Sequence, residues 1–458
     1  MRTHLSDHKR TMIFLNVVVA CVATSMLATS MTTALPALIE DLRIDAIQGQ
    51  WVTSGYSLAM AVVMPLTAFL VTRFPTKPLY VFGLLLNAVG VAMCAISPSF
   101  LILMVSRVLQ ALGNGVLGSM AQVILLTIYP RERRGTVMGW YGLSVSAAPL
   151  IAPILAGFIV DMLGWRWIFW GMLPIILIAV VWAFVSFDNV LETHQQRFDA
   201  LSFLLSVILL SGITLGMGSL GTVASYVELG CGLIAGILFT VRQLRAERPF
   251  LDLRVFENRN FTISVIAVML FYLVMMGSST IIPLYVQSIV GASAVVSALV
   301  VLPGSAASAV VSPLAGKLYD RFGMRPLLLV AAALLVTSNT GMLLVVRNTP
   351  LWVAALFNVM RCIAIGCLLM PLLTWGTEGM SSSDTAHANA LFSSLRTTAG
   401  AIGTVVFVAM MEMGAGGAVI PSRAVAGVHG MHIAFLGMAV GSVALLAIGL
   451  LFARRRTR

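Results

Sequence analysis

The residues of this sequence that could do chemistry inside an apolar environment are few. Arg107, Arg361 and Arg396 stand in or at the edge of long apolar runs. A guanidinium keeps its charge at any physiological pH, and a charge near a bilayer interior is costly enough that it faces a cavity or a partner by default. Arg107, followed by Gln110 and Gly113, is the best placed to organise hydroxyls, an anion or a proton-carrying water. Arg361, followed by Gly366, repeats the arrangement, while Arg361 and Arg396 are equally compatible with snorkelling to an interface. A second cluster is Gly316-Lys-Leu-Tyr-Asp320-Arg321-Phe-Gly323-Met-Arg325. Its glycines permit unusual backbone angles, and Asp320 fits a latch that pairs with basic residues or caps a helix N-terminus. A charged loop that only sets topology has the same composition. Further along the first half, Pro149 and Pro153 each delete a helix hydrogen bond, and Ala152, Ala156 and Gly157 allow a close helix approach. A hinge or a tight seam is expected there.

Other chemistries lack their residues. The five cysteines are scattered through apolar runs, and His429 and His432 have no cysteine or carboxylate beside them, so neither a disulfide framework nor a metal site is expected. No G-x-x-x-x-G-K-[ST] occurs, and the 17 acidic residues fall mostly in loops, which argues against ATP hydrolysis and against an intramembrane enzyme. No cofactor is implied. Only Glu228 and Glu412 come close to the membrane interior, and the middle of the first six apolar runs has no carboxylate.

The elements that must position these residues are membrane helices. The chain has 458 residues, 59% of them hydrophobic and 10% charged, against about 25% charged in soluble domains. Apolar windows predict an all-α integral membrane protein with six helices between residues 11 and 187, a Gly- and Ser-rich hairpin at 200–241, and six more helices between 261 and 452. The domains are then residues 1–199, a hairpin and linker at 200–260, and residues 261–458. A net charge of +11 would suggest nucleic acid in a soluble protein, but here the basic residues sort by side. Connections on the side of the termini carry 21 Lys and Arg, those on the other side 4, so both termini are expected in the cytoplasm.

The two groups of six look like copies. Each second helix has a proline (Pro65, Pro303), each is followed by a related loop (Thr72-Arg73-Phe, Asp320-Arg321-Phe), and each fourth helix carries an Arg followed by a Gly. Such parallel repeats place a site near the bilayer midplane between two bundles. With Ala34-Leu-Pro36 closing the first helix, Gln50-Trp51 and Tyr56 in the second, Arg107 to Gly113 in the fourth, Trp165-Arg166-Trp167 and Pro283-Leu-Tyr285-Val-Gln287, the chain resembles the fourteen-spanner drug:proton antiporters of the major facilitator superfamily. The resemblance is to the EmrB/QacA type, particularly the lincomycin-resistance-like branch, and extends over nearly the whole chain. Three features depart from that pattern: Ala152 to Gly157 lacks two glycines of G-P-x-x-G-G, Thr72 replaces an Asp, and Met26-Leu-Ala-Thr29 lacks an Asp that many relatives carry.

The resemblance implies a major facilitator fold of two six-helix bundles plus a central hairpin, fourteen transmembrane helices in the cell membrane. It implies export of small amphipathic drugs or toxic compounds in exchange for protons by alternating access; a symporter or facilitator for a metabolite on the same fold is the alternative. Coupling and gating are assigned to Arg107, Gln110, Asp320, Arg321, Gly316 and Gly323. The hinge is assigned to Pro149, Ala152, Pro153, Ala156 and Gly157. Candidate cavity residues are Met26, Thr29, Thr32 and Tyr56 in the first half, and Tyr285, Gln287, Arg361 and Arg396 in the second. The chain's 26 methionines read mainly as packing filler. With three arginines and almost no carboxylate near the interior, neutral or anionic amphipaths are favoured over dications. A monomer in the bilayer is expected, with accessory export partners left open and no nucleic acid.

Overall fold

The structure is a computed structural model. It describes residues 6–451 except 45, 192, 194–197, 219–221, 247–248, 293 and 417–422; at 46–47, 50, 149–150, 153–154, 218, 294–295, 415–416 and 423–426 it describes the backbone alone. Among the described residues there are fourteen α-helices and no strand. The first six are α1 (Asp7–Leu42), α2 (Ala46–Arg73), α3 (Thr76–Ala95), α4 (Phe100–Ile128), α5 (Arg134–Leu163) and α6 (Arg166–Ser186). The hairpin is α7 (Ala200–Gly218) and α8 (Val223–Arg245). The last six are α9 (Arg259–Leu284), α10 (Ala294–Phe322), α11 (Met324–Gly341), α12 (Leu351–Gly376), α13 (Ser382–Gly416) and α14 (Arg423–Leu451). Thirteen carry a described stretch long and apolar enough to cross a bilayer, and α5, at 30 residues, is also long enough.

Several helices run further than hydropathy indicates, because a helix remains satisfied where it leaves the lipid provided its end is capped. α1 starts where Ser6 Oγ accepts the Lys9 amide at 3.3 Å. At its other end it passes through Pro36 to Leu42, so Ala34-Leu-Pro36 does not close it. A proline there removes one donor and leaves the remaining bonds in place. Pro283 has a larger effect, since α9 ends in a π-helical turn over Tyr285–Ile289.

Packing repeats as the motifs do. In the first group α1 packs on α5 and α6, α3 on α4 and α6, and α2 on α4; adding eight to every label gives the pairings of the second group. Two seams join the bundles, α5 against α10 and α2 against α13, and the same numbering exchanges one seam for the other. In lipid, apolar surface gives helices little reason to associate, so close backbone approach through small residues matters more. The hairpin follows this rule. A Cβ at Gly212 would lie 2.6 Å from the Glu228 carbonyl oxygen, and Gly232 backs directly onto Gly212 and Ile213. Its open end is tied by Arg242, whose Nε and Nη2 each donate to Asp199 at 3.0 Å. Burial raises the Asp199 carboxyl, but hydrogen bonds from Arg242 and Ser202 outweigh it and hold the group down at about 2. The hairpin is attached at one flank only, through α7 against α2 and α13.

The start of α1 and the end of α14 lie in the same half of the molecule, where Lys9 pairs with Asp188 after α6 and Gly449 lies against Leu328 and Leu329 near the start of α11. In this half of the molecule the buried apolar residues form one cluster drawn from both bundles, including Ile13, Met120, Phe261 and Leu373. In the opposite half the core divides. One cluster draws its buried residues from Ala23 to Ile176, the other from Val274 to Met438. The buried apolar core is thus continuous between the bundles in the half that holds the start of α1 and the end of α14, and divided in the other.

Candidate functional site

The joined end is fastened by Asp320. This residue lies near the end of α10, and its carboxylate accepts the amides of Gly135 at 2.8 Å and Thr136 at 2.7 Å and the Thr136 hydroxyl at 2.6 Å. Those amides belong to the first turn of α5, whose donors have no partner within their own helix and carry the positive end of its dipole. A side chain of one bundle thus caps a helix of the other. Backbone contact makes this possible: a Cβ at Gly316 would lie 2.1 Å from the Gly135 carbonyl oxygen, and one at Gly139 2.6 Å from that of Ser312. Ser312 Oγ donates to the Gly139 carbonyl at 3.0 Å, completing the seam. Gly323, at φ 77°, makes the turn into α11, and Arg321 sits exposed over the Phe322 ring at 5.1 Å. Asp320 and Gly316 therefore meet α5 at one contact, Gly323 turns the chain just beyond it, and Arg321 stands outside the cap.

The other seam is built differently. Thr72, in the place equivalent to Asp320, turns its hydroxyl back to the carbonyls of Ala68 and Phe69 in its own helix, at 3.1 and 3.0 Å. The start of α13 is capped locally, the Asp384 amide donating to Ser381 Oγ at 3.0 Å. Here the linker between hairpin and second bundle supplies the fastening. The Phe250 ring meets Phe69, Phe198 and Phe203 at 6.2–6.3 Å, and the Asp252 amide donates to Nδ1 of buried His387 on α13 at 3.3 Å.

Arg107 and Arg361 occupy matching places in α4 and α12. Arg107 is fully buried; its Nε donates to the Val52 carbonyl of α2 at 3.2 Å and its Nη1 to Gln110 Oε1 at 2.6 Å. Its guanidinium carbon stands 4.1 Å from the Tyr56 ring centroid, a cation–π contact, and the Tyr56 oxygen accepts from Asn114 Nδ2 at 2.6 Å. Arg361 donates through Nη2 to Asn358 Oδ1, and Asn358 Nδ2 donates to the Val301 carbonyl of α10 at 3.2 Å. Each arginine therefore reaches the second helix of its own bundle, one directly and the other through an amide. Neither makes an ion pair with a described carboxylate, and one Nη of each is buried without a hydrogen-bond partner.

Between the bundles, above the joined end, lies a cavity of ≈170 Å³. α1 contributes Thr24 and Ser25, α2 Met60 and Met64, α4 Asn114 and Gln122, α5 Tyr141, α9 Tyr272, and α13 Ser393 and Arg396. Of the candidate cavity residues, Arg396 lines it and the other seven lie elsewhere. Tyr56 and Arg361 belong to the arginine networks. Tyr285 is wholly buried in its own bundle, its hydroxyl donating to the Val346 carbonyl at 3.0 Å. Met26, Thr29 and Thr32 fall on the part of α1 above the cavity, both threonine hydroxyls bonded to their own helix at 2.8 and 2.7 Å. Gln287 is exposed on the π-helical turn.

α5 continues unbroken through positions 149 and 153, while the side chains of Pro149 and Pro153 lie outside the described residues. Ala152 and Ala156 are buried, but a Cβ at Gly157 would meet nothing within 4 Å. The tight seam on α5 is formed at its other end, by Gly135, Gly139 and Gly142. That three- and four-residue spacing was available in the sequence as a small-residue stripe. Tyr141, Tyr272 and Gln122, facing the cavity from three helices, gave no local signal. Among the described residues no group of three His, Cys, Asp or Glu is arranged to hold a metal ion.

Comparison with known proteins places this geometry. The profile described as Major Facilitator Superfamily matches residues 13–404. The lincomycin resistance protein LmrB of Bacillus subtilis (strain 168) is 31% identical over 445 residues, covering 93% of this chain and 92% of the relative. An MFS-type transporter of the same organism, YcnB, is 32% identical over 418 residues, 90% of this chain and 88% of its own. The multidrug export protein EmrB of Haemophilus influenzae is 28% identical, covering 81% and 74%. Among solved structures, the proton:xylose symporter XylE superposes with a TM-score of 0.69 at 13% identity over 98% of this chain and 97% of that one, which speaks to the fold alone.

Proposed function

This chain belongs to the Major Facilitator Superfamily, and from that premise we propose that it exports amphipathic organic compounds in exchange for protons by alternating access. It is a multi-pass transporter of the cell membrane, not an enzyme. The observation that carries the reading is the division of the core: bundles fastened at one end by a carboxylate cap, parted at the other, with a cavity between. A cap of three hydrogen bonds is a fastening that can be made and broken as a unit when the bundles rock. The names of LmrB and EmrB, both attached to resistance or export, support drug efflux. The 21 to 4 distribution of basic residues supports a cytoplasmic joined end, and on this reading the cleft opens outward. On this reading residues 1–199 and 261–458 are the moving bodies and 200–260 joins them, while Arg107 and Arg361 lend each body a fixed charge.

Inverted membrane vesicles test the proposal. Acidifying the lumen should drive uptake of an amphipathic dye, and a protonophore should release it. Uptake driven by an alkaline lumen would mark a symporter, and uptake indifferent to pH a facilitator.

A further inference from the structure

The cavity between the bundles contains one fixed positive charge and, among its lining residues, no negative one. Arg396 leans on the Tyr272 ring, its guanidinium carbon 4.9 Å from the centroid. Its Nε is buried without a hydrogen-bond partner, and it forms no ion pair with a described residue. The remaining polar lining is neutral, chiefly Tyr141, Asn114, Gln122 and Ser393. Arg107 and Arg361 differ in a way that matters. Each has a side-chain amide oxygen on its own helix as acceptor, Gln110 or Asn358, and neither lines the cavity. Arg396 has an aromatic face and no oxygen.

The protein cannot supply the missing anion from the nearby carboxylates. Glu412 is on the same helix sixteen residues on, about 24 Å away at 1.5 Å per residue, and is exposed. Glu228 belongs to the hairpin, at the contact between α7 and α8. A partly buried guanidinium without a counter-charge is favoured when an anion enters beside it. A cationic guest would meet repulsion with nothing to offset its desolvation.

We propose that this cavity is an anion-reading site: it receives an amphipathic aromatic compound through a carboxylate or similar anionic group, with Arg396 as the counter-charge and Tyr272 and Tyr141 against the ring. The planar fork of Arg396 binds both carboxylate oxygens. The proposal rests on the export reading only for the direction in which such a compound moves.

The test uses the full-length protein in lipid nanodiscs and three probes with one ring system: 1-naphthylacetate, 1-naphthylacetamide and 1-naphthylethylamine. Equilibrium binding should favour the anion over the amide by at least about tenfold, roughly 1.4 kcal/mol, with the amine weakest. Arg396→Gln should bring the anion down to the amide, Arg396→Lys should keep part of the preference, and Glu412→Gln should leave it intact. Equal binding of the three probes, preference for the amine, absence of binding, or an undiminished anion preference in Arg396→Gln would overturn the site. The probe series on the unmodified protein decides even where a variant does not fold. Direction is read separately in the vesicle assay, so anion preference without proton-driven uptake would sink the exporter and leave the site standing.

Discussion

Where α10 meets α5, a carboxylate from one bundle caps a helix of the other over glycines that bring the backbones into contact. Where α2 meets α13, the pseudo-equivalent residue is Thr72, the helix is capped by its own Ser381, and an aromatic cluster on the linker closes the gap. The positions are related by the internal repeat and the chemistry is not. A duplicated fold fixes where two bundles must touch and leaves open what does the holding. The first seam is directional, made of short hydrogen bonds that fail together. The second combines apolar burial with one weak polar contact, and is covered in addition by α7.

The largest expected effect comes from closing the space at the glycine seam. Gly316→Leu places a side chain against the Gly135 carbonyl, with only backbone to displace, so gradient-driven uptake should fall to background while the protein still reaches the membrane. Near-normal uptake would mean that the bundles do not need this contact. Phe250→Ala removes a buried ring from the second seam; a buried aromatic truncation costs about 3–5 kcal/mol, read as a lowered melting temperature in detergent. An unchanged temperature would reduce the linker to a tether. Asp320→Asn keeps the size and removes the charge, which should weaken the cap by about 1.5–3 kcal/mol, the worth of charge-assisted bonds. Disulfide trapping across α5 and α10 should slow and transport should fall sharply; unaltered trapping and transport would reduce the loop to a topology signal.

A smaller effect separates the seams by pH. His387 Nδ1 accepts the Asp252 amide only while unprotonated. Protonation turns that nitrogen into a donor and loses a bond worth about 0.5–1.5 kcal/mol. Cysteine pairs across α2 and α13 should therefore cross-link less at pH 4.5 than at pH 8, with pairs across α5 and α10 unaffected; parallel behaviour would erase the distinction. The smallest effect belongs to Gly157→Ala, where open space predicts a stability change under about 0.5 kcal/mol. A severe loss there would support the hinge reading.

Hydropathy alone places all fourteen helices, because span length and apolarity are imposed by the bilayer. Helix ends escape it: α1 continues past Pro36 and α13 starts four residues early, where capping and water decide. Asp320 is identifiable as a cap from its setting, yet its recipient, α5, is nearly two hundred residues away and no local pattern names it. Arg107 announces itself by charge in an apolar run; its partners Val52 and Tyr56 do not, since a backbone carbonyl and an aromatic face occur everywhere. The glycine stripe at the start of α5 was not legible as a seam in the sequence for a plain reason. Gly157 and Gly135 look alike in sequence, and a glycine facing open space is chemically indistinguishable from one facing another backbone until the neighbouring helix is known.

The hydrogen bonds of Arg107 and Arg361 all stay within their own bundles. During synthesis the first six helices leave the ribosome well before the last six exist, and a chain of this size assembles unit by unit. Because Arg107 is satisfied by α2 and by its own helix, the first half can be laid down in the membrane without waiting for a distant counter-ion. What must form last is the pair of seams, so the newborn protein matures through the same joining of two halves that the proposed transport cycle would repeat.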